Sequence, residues 1–371
     1  MNKIKLANPI RKTIFLLGCI LIFAFLISCF SYRIQPEQFK GITYFALSFP
    51  LLLLGMITWC ITAAFLYKKG WLFFLLLLPA WKNISNTIAL QTASPFVFKA
   101  KKNNLRILCW NVNEFLIGHN DDPIWQAKQN KMLSFIQKSN ADILCFQDFV
   151  KTPPNELRNI EKYISDSLHY PYYYFSEDGI GYGTIIYSRF AINSYGRFKY
   201  TEKVYPESLA YIDVEVNNQP IRIYNTHLRS MFLHYADLNI NNIGYPEFVK
   251  EDTAFLFRST RMERLEYFDR IHHAQSRIIK AALNKTTTPF IFCADLNSVP
   301  TSYVYNLISH GLNDAFLKKG AGISGTYTKL NPLLRIDYIL ASQQINVLQY
   351  HSSPLKLSDH FPILTDLQVG K

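Results

Sequence analysis

Carboxylates at Asp148, Asp295, Asp337 and Asp359, amides at Asn111, Asn113 and Asn297, and imidazoles at His227 and His360 cluster at or near the ends of apolar runs. One polar residue in such a place ordinarily caps a helix or a turn. Together these residues form a donor set of oxygen and imidazole with no thiolate, which suits a hard divalent cation, Mg²⁺ or Mn²⁺, better than zinc. Carboxylates that hold a cation and activate water, beside imidazoles and amides that bind a charged, oxygen-rich group, point to hydrolysis of a phosphate ester.

Such side chains need a rigid frame. Beyond residue 104, short apolar runs alternate with helical periodicity: strands are expected over 105–110, 143–147, 184–188, 209–216, 221–226, 290–294 and 336–340, and helices over 124–139, 156–168, 259–284 and 303–310. Asn111, Gln147, Asp148, Asn225, His227, Asp295 and Asn297 then fall at the carboxyl ends of strands, where α/β layers place their chemistry. The 229–261 connection is long and rich in aromatics, including Phe232, Tyr235, Tyr245 and Phe248. It is expected to be a lid, a membrane-touching loop or a surface excursion. Cys109, Cys145 and Cys293 lie in expected buried strands and form no readable disulfide framework. His272 and His273, on an expected helix, read as structural.

The order Trp110-Asn111-Val-Asn113, Gln147-Asp148, Asn225-Thr-His227-Leu, Asp295-Leu-Asn297, Arg335-Ile-Asp337-Tyr and Ser358-Asp359-His360 resembles the endonuclease/exonuclease/phosphatase superfamily. That superfamily includes DNase I and the neutral sphingomyelinases. The resemblance spans roughly 104–369 and implies a DNase I-like α/β fold: a four-layer sandwich of two mixed β-sheets flanked by helices. It assigns Asp148, Asn111 and Asp359 to the metal, with Asp148 standing where the family has Glu. A carboxylate one methylene shorter must draw the cation toward its strand or bind through water. The resemblance also implies that Asp295 deprotonates the attacking water and that Asn297 holds that water or a phosphoryl oxygen. His360 is expected on the scissile phosphate with Asp337 fixing its tautomer, and His227 across the phosphate. Asn113 and Asn225 back up these groups, Arg189 ties loops together, and Tyr327 reaches the rim.

The first hundred residues are of another kind. They hold ten basic residues against the single acid Glu37, so +9 of the net +12 lies there, and 29 basic face 26 acidic residues beyond it. The excess flanks apolar segments, where the positive-inside rule expects it, and is not a nucleic-acid footprint. Residues 1–100 thus read as an N-terminal membrane segment ahead of a catalytic domain over 101–371. Uncharged runs at 13–32 and 42–67 are each long enough to span a bilayer; 71–89, interrupted by Lys82, Asn83 and Asn86, is a weaker third. Three spans put the domain outside the cytoplasm and two leave it inside, the latter favoured by Lys99, Lys101 and Lys102.

The leading expectation is a multi-pass membrane protein whose domain hydrolyses a phosphodiester or phosphomonoester, with a lipid head group as first candidate and no protein partner required. A membrane-tethered nuclease for DNA or RNA is the alternative, opposed by the domain's near-neutral charge. A catalytically inactive binding module of the same fold is the third reading, resting on Asp148 in place of Glu.

Overall fold

An apolar chain that keeps no polar side chains for its backbone satisfies its amides as helix. Helix α1 spans Asn8–Cys29 and α2 spans Ile42–Leu66. These are the two helices, among the described residues, long and apolar enough to cross a membrane. The computed structural model describes residues 8–92, 94–99, 104–116, 122–153, 158–201, 207–231 and 260–370.

The expected third span is not one α-helix. Gly70–Ala80 forms a 3-10 helix that returns along α1 and α2, and Trp81–Thr87 continues it as the short helix α3. Gly70 is required at the turn, because a Cβ there would lie 1.8 Å from the carbonyl oxygen of Ala63. The side chains that weaken this run as a lipid-facing segment are used at its far end: Asn83 donates to Ser28 O (2.7 Å) and Asn86 to Pro300 O (3.2 Å). The bundle therefore has two distinct ends. At one, Tyr67 Oη donates to Arg11 O (3.2 Å), with Lys12, Lys68 and Lys69 nearby in sequence. At the other, the end of α1, the start of α2 and α3 meet the rest of the chain.

After the two-residue strand β1 (Ala89–Leu90), a twelve-stranded sandwich follows. Its strands are β2 (Asn104–Asn111), β3 (Ile143–Val150), β4 (Tyr172–Gly179), β5 (Tyr182–Ser188), β6 (Ile192–Lys199), β7 (Ser208–Val216), β8 (Gln219–His227), β9 (Phe290–Asp295), β10 (Asn313–Asp314), β12 (Asp337–Ala341), β13 (Asn346–Ser352) and β14 (Ile363–Gln368), while β11 (Ala321–Gly322) pairs with β1. One sheet has the order β13-β14-β2-β3-β5-β4 and the other β10-β12-β9-β8-β7-β6. Each is mixed, with the parallel pairs β2–β3 and β8–β9 at its centre.

Strand alternation sorts side chains between layers. From β2, Leu105, Ile107 and Cys109 point between the sheets with Ile212, Ile223 and Ile291, while Leu108 and Trp110 point outward to Met132 and Ile136 of helix α4 (Pro123–Ser139). Helix α5 (Arg261–Lys285) covers the second sheet with Ile279 and Leu283 and begins with a Thr260–Glu263 capping box. The four layers match the expected sandwich. All six cysteines are free.

Seven strands were not expected: the two-residue β1, β10 and β11, and the longer β4, β6, β13 and β14. β4 and β6 run at or near sheet edges, where Tyr-rich and charged alternation replaces an apolar run. The expected 156–168 helix is short, with Ile160–Lys162 passing into a π-turn at Tyr163–Ser167. Most of the 229–261 connection lies outside the described residues.

Candidate functional site

The carboxyl ends of both parallel strand pairs open on the same edge of the sandwich. Register brings the polar residues together: Asp337 opposes Asp295 across β12–β9, and His227 lies beside Asp295 across β8–β9. Asp148 reaches the same place through a bulge, since the β3–β5 register shifts between Phe146 and Phe149. The bulged residue has φ 47°, a left-handed conformation that Asp tolerates better than most residues. Gln147 turns inward to donate to Asn225 Oδ1 (2.6 Å), while Asp148 turns to the site.

Asn111 joins the two sheets there. Its Nδ2 donates to Asp148 Oδ2 (2.9 Å) and Asp295 Oδ2 (3.0 Å), and its Oδ1 accepts from the backbone of Asn113 (3.1 Å). His227 spans the same carboxylates, with Nδ1 at 3.0 Å from Asp148 and Nε2 at 3.5 Å from Asp295. Nδ2 of Asn297 lies 3.1 Å from that Nε2 and donates to Leu228 O (3.0 Å). On the other flank, Nδ1 of His360 lies 3.1 and 3.0 Å from the two Asp337 oxygens, and its Nε2 lies 3.6 Å from Asp295. Asp295 thus sits between two imidazoles, each oriented by a second carboxylate.

The charges are coupled. Burial opposes charge on His227, but Asp148, Asp295 and Glu207 outweigh it and push its pKa up to about 10. His360 is likewise raised, with Asp337 and Asp295 overcoming burial. Asp148 is partly buried, and the imidazoles and the Asn111 amide hold it below the usual carboxylate range despite the loss of water around it. Asp295 goes the other way, raised by burial and by the charge of Asp337.

Donor atoms of Asp295, Asp337 and His360 lie within 4.8 Å of one another, a grouping able to hold an ion. With Asn111 and Asp148 adjoining, the set is dominated by oxygen and fits a hard divalent cation. Asp359, also expected at the metal, is partly buried beside His360 and accepts from Ser358 Oγ (3.3 Å).

Three other expected residues stand back from the chemistry. Asn113 is exposed and contributes its backbone to Asn111. Asn225 is fully buried and donates to Phe146 O (3.0 Å) and Ile185 O (3.1 Å), stapling β8 to the other sheet beside the bulge. Arg189 donates to Asn140 Oδ1 (2.7 Å) at the opposite end of β3, where it ties loops. Tyr327 does reach the site: its ring meets the His360 ring edge-on at 5.3 Å.

Two residues at the site were missed. The hydroxyl of Tyr182 donates to Asp148 Oδ1. Glu114 is pushed up to about 7 by burial and by the charge of Asp148. Glu114 follows Asn113 directly and was open to notice; Tyr182 depends on the β4–β5 turn, which no motif marks.

The N-terminal segment packs on the loops that follow and precede these strands. Thr301 Oγ1 donates to Ala46 O (2.7 Å) of α2, and Ser31 Oγ donates to Thr301 O (2.7 Å). Arg335, two residues before Asp337, donates to Asp314 Oδ2 (2.7 Å) and to Asn86 O (2.8 Å) of α3. Ala46, Val299 and Ile336 form one apolar cluster, against which Leu47, Tyr327 and Leu334 pack.

No curated protein matches the chain. Among solved structures, an endonuclease/exonuclease/phosphatase from Beutenbergia cavernae superimposes with TM-score 0.51 at 18% identity over 72% of each chain. A family protein from Bacteroides thetaiotaomicron gives 0.52 at 16% over 73% of this chain and 100% of that one. A mannosyl-6-phosphatase from the same species gives 0.50 at 16% over 71% and 99%. At such identities the likeness is one of fold. Residues 11–87 match a domain of unknown function. Residues 108–360, from the second half of β2 to His360, match the Endonuclease/Exonuclease/phosphatase family, and the chain that carries this sandwich and its polar edge belongs to that family.

Proposed function

We propose that the protein is a membrane-anchored, divalent-metal-dependent phosphoesterase that cleaves a phosphodiester or phosphomonoester, with a lipid head group as its substrate. The observation that carries the chemistry is Asp295 held between His227 and His360, each imidazole backed by a carboxylate. Asp148 and Asn111, beside Asp295, would hold the cation. When bound, it offsets phosphoryl charge and lowers the pKa of water.

The chain's own residues do the rest. Asp295, with its raised pKa, takes the proton of the attacking water, and Asn297 aligns that water or a phosphoryl oxygen. His360, protonated over Asp337, offsets charge developing on phosphorus and returns a proton to the leaving oxygen. His227 neutralises the opposite face. The lipid reading draws support from the site's position against the domain end of α2, since tethering raises the local concentration of head groups.

The test is product release by the full chain in detergent or vesicles from bis(p-nitrophenyl) phosphate, p-nitrophenyl phosphate, plasmid DNA, phospholipid and sphingomyelin, with Mg²⁺, Mn²⁺ or EDTA. Turnover is expected with metal, lost in EDTA, and reduced about a hundredfold or more in Asp295→Asn. Preference for DNA over lipid would replace the lipid reading with a nuclease. Silence on all substrates without metal binding would point to an inactive module.

We further infer that the domain is extracytoplasmic. The 11-residue 3-10 helix runs about 22 Å beside α1 and α2 and returns the chain from the Lys68–Lys69 end of the bundle to the end where α3 meets the domain. Arg11, Lys12, Lys68 and Lys69 then mark the cytoplasmic end. A C-terminal alkaline phosphatase fusion is expected to be active in bacterial cells. An inactive one, with a fluorescent cytoplasmic reporter in its place, would reverse the orientation.

A further inference from the structure

The turn after Tyr327 presents an apolar tip beside the site. Residues 329–333 are all exposed, with Leu330 at 55% and Leu333 at 43%. The tip is held in one shape: the amides of Leu333 and Leu334 donate to Leu330 O (2.8 and 3.2 Å), and those of Thr326 and Tyr327 close the base on Leu334 O (2.8 and 3.1 Å). That base packs with Leu47 on the Ala46 cluster, so the tip stands next to the first turns of α2.

Other segments add apolar side chains around the same helix end. Met262 is 60% exposed, and its carbonyl accepts from Tyr44 Oη in the first turn of α2. Phe39, just before α2, is 39% exposed and its ring stacks on Phe45. Each lies next to or near an exposed cation: Lys40, Arg261 and Lys329. Apolar tips interleaved with cations, around the point where an apolar helix enters a folded domain, make an interfacial pattern.

We propose that Phe39, Met262, Leu330 and Leu333 rest in the head-group layer of the bilayer that holds α1 and α2, so that the site opens onto that surface. Continuity of the turn with the α2 cluster, and cations placed for anionic lipid, argue for this occupant over a protein partner. A lipid phosphoester then reaches His360 past Tyr327 without leaving the membrane. The substrate half of this inference rests on the phosphoesterase reading; the docking half stands without it.

The test uses the full chain in phosphatidylcholine–phosphatidylglycerol vesicles. Cys19, the one exposed cysteine, is replaced by Ser, and Leu330→Cys carries an NBD probe, with Leu333→Cys as a second position. Blue-shifted emission quenched by shallow doxyl lipids is expected at both. Water-like, unquenched emission at both overturns the docking, whatever the activity. In a separate arm, the Leu330→Ser/Leu333→Ser double variant is expected to lose about tenfold in turnover of vesicle lipid while hydrolysing bis(p-nitrophenyl) phosphate at the wild-type rate. Equal lipid turnover overturns the delivery claim. Docked probes on the cysteine variants, together with a wild-type chain that cleaves neither substrate, sink the phosphoesterase reading and leave the docking in place.

Discussion

A carboxylate at a bulged, left-handed position is placed by its backbone as much as by its partners, and Asp148 shows both constraints. Tyr182, His227 and Asn111 hold it from three sides. Asp148→Glu would lengthen its reach toward the metal but put a longer side chain at φ 47°. We expect a severalfold lower metal concentration for half-maximal turnover and a loss of about 1 kcal/mol in stability, read by metal titration and denaturant midpoint. No change in either would show that carboxylate reach does not set the site. The sequence made the identity of most polar residues here legible, because each ends an apolar run. It left their direction open. Gln147 and Asp148 are adjacent, and only the bulge decides that one staples the sheets while the other faces the site; Asn225, equally polar, points between the sheets.

At the scale of elements, β12 gains its position from outside the sandwich. Arg335 is buried, and its guanidinium is shared between Asp314 and the carbonyl of Asn86, with Tyr305, Phe316 and Tyr338 around it. Arg335→Ala leaves the buried Asp314 carboxylate without its counter-charge, though still bonded by Tyr305 and two amides, and is expected to cost about 3 kcal/mol, with Arg335→Lys recovering only part because it lacks the second donor arm. Thermal unfolding of the detergent-solubilised chain measures this, and a loss below about 1 kcal/mol would show that the fork does not hold the strand. Periodicity revealed the central strands β2, β3, β8, β9 and β12, whose apolar runs are buried on both faces. It missed β4 and β6, because strands at a sheet margin satisfy only one face and carry Tyr, Ser and Arg on the other. The 71–89 segment is helical but in two pieces, a 3-10 helix and α3, and Asn83 and Asn86, which interrupt its hydropathy, are both paired in the fold.

For the whole molecule, composition separates an apolar N-terminal part from a near-neutral domain, but not the contacts between them. A chain cut to residues 101–371 would lose Ala46 and Leu47 from the Val299–Ile336 cluster, Asn86 from Arg335 and Ala46 from Thr301. We expect such a fragment to melt at least about 5 °C below the full chain and to turn over more slowly on a soluble diester. Equal melting and equal rate would show the domain to be self-sufficient. The same contacts bear on the protein's life before it reaches its working place. A chain that has left the ribosome with its hairpin not yet seated has Pro300, Thr301 and Arg335 without their partners in that hairpin and α3, and therefore an unfinished polar edge. Completion of that edge is then tied to seating of the hairpin: the order in which the two parts of the chain come together decides when these residues acquire their partners.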